Sequence, residues 1–192
     1  MSVEPRAIAR TVLGAALAAV APDEAIRRHV RRDGRWLHVD GESYALAAYR
    51  RIVAVGAGKA SGLMAQSVEA LLGDRLAGGL VIVKDGHTVP TTRIALREAA
   101  HPLPDARGVA ATAELLGWLD GLGADDLLLL LLSGGGSALL ERPAPGLDLD
   151  ALQTTTDLLL RALPRCGSPG DGSGGPSPSP QPGSCVEGIS AG

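Results

Sequence analysis

The stretch that decides the fold is RIVAVGAGKASG, residues 51–62. Its first half is an apolar run of strand length with β-branched residues, and its second half is a glycine loop. Apolar residues then recur at helical spacing from Leu63 to Leu72, and Gly73 can end that helix. A second apolar run follows at residues 79–83. Strand, loop, helix and strand in succession predict one βαβ unit with parallel strands.

The alternation of strands and helices continues towards the C-terminus. Residues 93–97 can form another extended segment, and Asp105 can cap a helix over residues 106–119. Residues 127–132 are six leucines, which we expect to form a fully buried strand of the parallel-sheet kind. A last helix is expected over residues 148–161. The pattern predicts an α/β protein, a Rossmann-like three-layer α/β/α domain with a mostly parallel sheet.

The N-terminal region predicts smaller elements. Residues 5–20 have the periodicity of an amphipathic helix, which favours a helix over a signal peptide. Asp23 can cap a second helix over residues 24–31, and residues 36–39 look like a short strand of a hairpin. No apolar run is long enough to cross a bilayer. We therefore expect a cytoplasmic protein with no membrane partner.

Composition sets further limits. The chain has 192 residues, a formal net charge of -3 and 45% hydrophobic residues, which suits a packed core and argues against a nucleic-acid partner. Lysine is scarce: only Lys59 and Lys84 occur. Residues 164–192 are rich in Gly, Pro and Ser and hold both cysteines, so we expect a disordered tail after a domain at residues 1–163.

Three loops follow predicted strands, at residues 56–62, 84–90 and 133–138, and the prolyl turn at 101–105 can join them. In an open parallel sheet, ligands bind beyond the carboxyl ends of the strands. These loops therefore supply the candidate ligand-binding residues, which are Gly56, Gly58, Lys59, His87, His101, Asp105, Ser133, Gly134, Gly135, Gly136 and Ser137.

The loop with Gly56, Gly58 and Lys59 has the make-up of an anion site, because glycines allow a close approach and the lysine adds a charge. It is not a P-loop, since Val53 stands at the first glycine position of that motif. It is also a poor dinucleotide fingerprint, since Ser61 stands at the third glycine position. The alternative is a tight turn with a solvated lysine.

The loop from Ser133 to Ser137 has three consecutive glycines, which suit a nest of backbone N–H groups around a phosphate or carboxylate. The alternative is a flexible connector. Asp85 and Asp105 can share a magnesium ion with substrate phosphates, although Asp105 is better explained as a helix cap. The acidic pair at residues 125–126 is expected to solvate a turn. No residues have the spacing of a zinc site.

Four motifs together resemble the glycerate 2-kinase family. They are VAVGAGKA at residues 53–60, GHTVP at 86–90, AHPLPD at 100–105 and LSGGGSAL at 132–139. The resemblance covers residues 5–161 and is to the bacterial type whose second half is the MOFRL domain. Some members of that family are named hydroxypyruvate reductase.

The resemblance implies ATP-dependent phosphorylation of D-glycerate at its 2-hydroxyl to give 2-phosphoglycerate, with Mg²⁺. Lys59 would be the catalytic or phosphate-orienting residue, and the loop from Ser133 to Ser137 would hold nucleotide phosphate or substrate. His87, His101 and Asp105 would line the cleft. Two alternatives stay open: an NAD(P)H-dependent oxidoreductase, and a non-catalytic module that binds a nucleotide or a sugar phosphate.

The resemblance stops near Leu163, where family members continue with the rest of the first domain and a second domain. We therefore expect a domain that is incomplete at its C-terminus and followed by an out-of-frame tail. The truncated chain alone is expected to have no kinase activity. The DNA beyond codon 162 tests this expectation, because one of the other two reading frames should encode the missing family segment.

Overall fold

A computed structural model describes residues 4–162, and the tail predicted over 164–192 lies outside them. A four-stranded parallel sheet forms the centre, with helices on both faces and a small antiparallel sheet at the N-terminal side. The helices and strands, in chain order, are α1 (Pro5–Ala19), α2 (Pro22–His29), β1 (Val30–Asp33), β2 (Trp36–Val39), β3 (Glu42–Ala45), β4 (Arg51–Ala57), α3 (Ser61–Leu72), β5 (Leu76–Lys84), β6 (Ile94–Ala99), α4 (Ala106–Asp120), β7 (Asp126–Leu132) and α5 (Leu149–Ala162).

The main sheet has the strand order β6-β5-β4-β7, and every neighbouring pair is parallel. Helix α3 joins β4 to β5, so the predicted βαβ unit is confirmed. Helix α3 packs in one apolar cluster with residues such as Ile52 and Val81, and α4 packs in another with residues such as Val55 and Ile82. The three-layer α/β/α prediction is confirmed.

The N-terminal prediction needs two corrections. Helix α2 begins at Pro22 after Ala21 as its N-terminal cap, so Asp23 lies in the first turn instead of capping the helix. The helix ends at His29 because the chain turns into β1, which pairs antiparallel with β2. The hairpin expected around residues 36–39 is confirmed and has β3 as a third strand.

Strand β7 corrects the prediction that the leucine run is fully buried. It is an edge strand whose one neighbour among the described residues is β4. Leu131 lies on the face that packs against α3 and is 5% exposed, whereas Leu130 lies on the opposite face and is 57% exposed. Side chains alternate between the two faces of a strand, and helix α4 covers β5 and β6 rather than β7. The sequence run therefore has one buried face and one open face.

The acidic pair at residues 125–126, where β7 begins, also differs from the prediction that it solvates a turn. The side chain of Asp126 is 1% exposed and accepts hydrogen bonds from Arg50 (2.8 Å) and Arg51 (3.1 Å). Hydrogen bonds from these two guanidinium groups hold the pKa of Asp126 well below its usual range. Since both arginines stand at the start of β4, the cluster fixes the amino ends of β4 and β7 side by side.

Among residues 4–162, no helix is long and apolar enough to span a membrane. The parallel strands place the glycine loops that follow β4 and β7 at one edge of the central sheet.

The two faces of β7 predict different responses to truncation of a leucine. Leu131→Ala should lower the free energy of unfolding by about 2–5 kcal/mol, because it leaves a cavity in the core. Leu130→Ala is the matched control and should stay within about 1 kcal/mol of the wild type, since its side chain is largely exposed. Urea denaturation of both variants measures the difference. Equal losses would contradict the assignment of the two faces.

Candidate functional site

The candidate site lies at the carboxyl edge of the sheet, between β4 and β7. Counted along the chain, the parallel strands lie in the order 3-2-1-4, so the strand order reverses between these two neighbours. In doubly wound sheets, ligands bind in the crevice at such a reversal. The glycine loop after β4 and the Ser-Gly-Gly-Gly-Ser loop after β7 both start there. The topology therefore brings together two of the three predicted loops.

Close contact between β4 and β7 explains two of the glycines. A Cβ on Gly56 would lie 2.7 Å from the carbonyl carbon of Leu131, and one on Gly58 would lie 2.7 Å from the carbonyl oxygen of Ser133. Gly58 also has a φ of +142°, which side chains other than that of glycine rarely allow. These glycines are required for the backbones to meet, so they shape the crevice.

Ser133 locks the two loops together from within. Its hydroxyl oxygen accepts a hydrogen bond from the Ala60 N–H (3.0 Å) and lies 3.0 Å from the hydroxyl of buried Ser61. The N–H of Lys59 donates to the carbonyl oxygen of Gly134 (3.2 Å). The N–H groups of the two residues just before α3 are thereby bonded to the loop after β7. An anion bound beside Lys59, as the sequence predicts, would therefore also lie next to the loop that begins at Ser133.

Lys59 and His101 meet over Gly135. A Cβ built on Gly135 would lie 2.8 Å from Nε2 of His101 and 3.2 Å from Cε of Lys59. Gly135 has a φ of +86°, so the loop needs glycine at this position for its conformation as well. Lys59 is exposed, and His101 is half-buried. The prolyl turn thus joins the two glycine loops as the sequence predicts, and His101 is the residue that reaches them.

The pKa of His101 is lowered by burial and by the positive charges of Lys59 and Lys84. A lowered pKa keeps the imidazole neutral at neutral pH, so that it offers one N–H donor and one acceptor nitrogen. His101 is therefore an uncharged group that lies near two lysine charges.

The loop after β7 has N–H groups to offer. Gly136 packs on the carbonyl of Ala57, and its own N–H donates to the Ser133 carbonyl oxygen (3.1 Å). Within the described chain, the N–H groups of Gly134 and Gly135 form no hydrogen bond. The side chain of Ser137 is exposed. Two free N–H groups beside Lys59 are the part of the predicted nest that the structure makes available.

His87 lies apart from this cluster. Its ring is exposed, and its Nδ1 donates to the backbone carbonyl of Asp85 at 3.1 Å. Its own carbonyl packs against Gly62 at the start of α3. The hydrogen bonds of the described residues thus connect His87 to the end of β5 and not to Lys59 or His101.

Asp85 and Asp105 are joined by an arginine that the sequence argument does not use. Arg107 donates to both oxygens of Asp85 (2.7 and 2.8 Å) and to one oxygen of Asp105 (2.7 Å). The other oxygen of Asp105 accepts from the Gly108 N–H (2.9 Å), which confirms that Asp105 caps α4. The hydrogen bonds from Arg107 lower the pKa of Asp85. Both carboxylates are therefore already engaged.

Two further charged residues follow these strands in the chain: Lys84 ends β5, and Glu141 comes after the glycine loop that leaves β7. Lys84, the last residue of β5, acts on His101 because β5 pairs with β6, and that pairing is not visible in the local sequence. Glu141 is 9% exposed, its Oε2 has no hydrogen-bond partner among the described atoms, and burial raises its pKa. A single Glu after a glycine loop has no sequence signal that would distinguish it from a surface residue.

Comparisons with known proteins agree with this arrangement. Residues 8–163 match the family described as "Domain of unknown function (DUF4147)". A protein of Agrobacterium vitis named "Putative hydroxypyruvate reductase" is 43% identical over 57% of the chain and 29% of its own length. "Glycerate 2-kinase" of Pyrococcus horikoshii is 32% identical over 84% of the chain and 36% of its own length.

A solved structure shares the fold. The crystal structure of a glycerate kinase from Thermotoga maritima has a TM-score of 0.64 and 31% identity, over 82% of the chain and 36% of that protein. The chain thus spans about a third of the length of the curated relatives it matches.

The close contact between the loops predicts how the chain responds to a methyl group. Gly58→Ala should lower the free energy of unfolding by about 2–3 kcal/mol, because the methyl group meets Ser133 and the φ is unfavourable. Gly117→Ala is the matched control: it lies inside α4 with nothing within 4 Å of its Cβ, and should add about 0.4–1 kcal/mol. Thermal unfolding compares the two. A neutral Gly58→Ala would show that the loops do not touch there.

Proposed function

The chain belongs to the DUF4147 family, and we propose that it forms the N-terminal part of a glycerate 2-kinase. The proposed reaction transfers the terminal phosphoryl group of ATP to the 2-hydroxyl of D-glycerate and yields 2-phosphoglycerate, ADP and the hydroxyl proton. Relatives named glycerate kinase or glycerate 2-kinase, from archaea to vertebrates, support the proposal. We propose the activity for the complete protein, since the chain spans about a third of such relatives.

The observation that carries the proposal is the meeting of Lys59, His101 and Gly135 at the reversal of strand order. Phosphoryl transfer depends mainly on positioning and on neutralising charge on the transferred group. Lys59 supplies a fixed positive charge, and the N–H groups of Gly134 and Gly135 supply donors that need no reorganisation. These are the features that a phosphate oxygen requires.

Each candidate residue has a part in this proposal. Lys59 is the catalytic residue, which holds or orients the transferred phosphate. Gly56 and Gly58 allow the crevice to form, and Ser133 fixes the loop after β7 through the Ala60 N–H. The loop from Gly134 to Ser137 binds the nucleotide phosphate or the substrate, with the free N–H groups of Gly134 and Gly135 as donors and Gly136 holding the loop through its bond to Ser133.

Two members of the cleft wall complete the set. His101 contacts the same phosphate group as Lys59. His87 belongs to the rim of the cleft, because its ring is exposed at the end of β5.

The described residues do not form a magnesium site of their own. Asp85 and Asp105 use three oxygens on Arg107 and the fourth on the cap of α4. Residues 4–162 also contain no cluster of three or more His, Cys, Asp or Glu that could hold a metal ion. Mg²⁺ therefore remains a proposal for the complete protein, and none of the roles above is routed through it.

A second function is favoured by the names of relatives, two of which are called putative hydroxypyruvate reductase. The order 3-2-1-4 also matches the first four strands of the dinucleotide-binding order 3-2-1-4-5-6. In such a sheet the pyrophosphate contacts the N-terminus of the first helix. Here the N–H groups of Lys59 and Ala60, the two residues before α3, already donate to Gly134 and Ser133. Because these two donors of the glycine loop are occupied, we favour the kinase over an NAD(P)H-dependent oxidoreductase.

A chimeric enzyme tests the proposed activity. Residues 4–162 replace the aligned part of Pyrococcus horikoshii glycerate 2-kinase, and formation of 2-phosphoglycerate from ATP and D-glycerate is followed. We expect turnover by the chimera, and a loss of about 10²–10³-fold in kcat/KM for Lys59→Ala, because the charge on the transferred group is no longer neutralised. Arg35→Ala, an exposed cation in the turn before β2, should leave turnover unchanged.

The competing function is tested on the 192-residue chain itself. Thermal shift with ATP and with NADPH, each at millimolar concentration, should show stabilisation by ATP alone. Stabilisation by NADPH alone, or reduction of hydroxypyruvate by the chimera in place of phosphoryl transfer, would refute the kinase proposal.

A further inference from the structure

The two lysines of the chain reach the same edge of the sheet. Lys84 ends β5, and Lys59 follows β4 by two residues. Strands β4 and β5 are parallel neighbours, and the Gly58 N–H donates to the carbonyl oxygen of Ile82 at 3.0 Å. The two side chains therefore leave adjacent strands at nearly the same level. The register of β6 pairs Ala99 with Lys84, so that His101, two residues later, comes to lie near both charges.

Neither lysine takes part in an ion pair within residues 4–162. Arginines of the same sheet behave differently: Arg50 pairs with Asp126, and Arg97 pairs with Glu114. Asp85 and Asp105 are both neutralised by Arg107. Glu98, which pairs across the strands with Val83, accepts a hydrogen bond from the Gly86 N–H at 2.7 Å. The two lysine charges near His101 are thus left without an ion-pair partner among residues 4–162.

We propose that Lys84 is a second cation of the site and that, with Lys59 and His101, it binds a doubly charged phosphate group. This inference rests on the proposed function and adds a residue and a ligand charge to it. A phosphate monoester carries a charge between one and two at neutral pH, which the two ammonium groups match. The free N–H groups of Gly134 and Gly135 supply further donors on the side of Lys59.

His101 serves as an uncharged member of this set. Its Nε2 faces Gly135, and the positive charges of both lysines lower the pKa of its half-buried ring. A neutral imidazole donates one hydrogen bond to a phosphate oxygen without adding a third charge. A bound anion would oppose the effect of the lysines, and the pKa of His101 should then rise.

The experiment titrates the 192-residue chain with inorganic phosphate and follows the His101 ring by NMR. Phosphate should shift the His101 signals with a saturable curve and raise the pKa of His101. Lys84→Gln should weaken phosphate binding at least about tenfold, whereas Lys84→Arg, which retains the charge, should bind within about threefold of the wild type. Arg35→Ala is the control for a cation elsewhere on the surface.

Further arms identify the source of the phosphate. ATP competing with inorganic phosphate assigns the site to the nucleotide, and 2-phosphoglycerate competing instead assigns it to the phosphorylated acid. The proposal is overturned if the wild-type chain does not bind phosphate, if Lys84→Gln binds as the wild type does, or if Arg35→Ala weakens binding equally. Because no turnover is measured, these results are independent of the chimera. Phosphate binding through Lys84 with an inactive chimera would refute the kinase and leave this inference standing.

Discussion

The structure depends on the contact between the ends of β4 and β7, where two backbones pass each other without side chains between them. Gly56 lies against the backbone of Leu131, and Gly58 lies against Ser133. At the opposite end of the same strands, Asp126 binds the two arginines that begin β4. The strand pair is thus fixed at both ends. Because the carboxyl end is where the strand order reverses, this contact also forms the crevice.

The same contact decides which groups remain free to bind an anion. The N–H groups of Lys59 and Ala60, immediately before α3, are bonded to Gly134 and Ser133, although the loop that enters a helix binds phosphate in many α/β proteins. Positive potential comes instead from side chains, namely Lys59 and Lys84. These charges surround a histidine that burial keeps neutral, while the nearby acidic groups are bound by Arg107. In the proposed site the charge is therefore positive, because neither lysine has an ion-pair partner among residues 4–162 while Arg107 neutralises Asp85 and Asp105.

The sequence predicts the parallel βαβ unit, the cap at Asp105 and the meeting of the glycine loops, because glycine spacing and apolar runs are local signals. It does not predict the open face of the leucine run, since six leucines look alike whether one face or both are covered. The roles of Arg107 and Asp126 depend on partners 22 and 76 residues away, respectively. Lys84 is recognisable in the sequence only as one of two lysines; its approach to His101 follows from strand pairing.

A crystal structure of the chain with ATP tests the central claim most directly, that the crevice between β4 and β7 is the phosphate site. The account predicts the terminal phosphate within hydrogen-bonding distance of the Lys59 ammonium group and of the Gly134 or Gly135 N–H, with the loop after β7 still bonded to Ala60. A nucleotide whose phosphates displace Ser133 from the start of α3, or that binds away from Lys59, would contradict it.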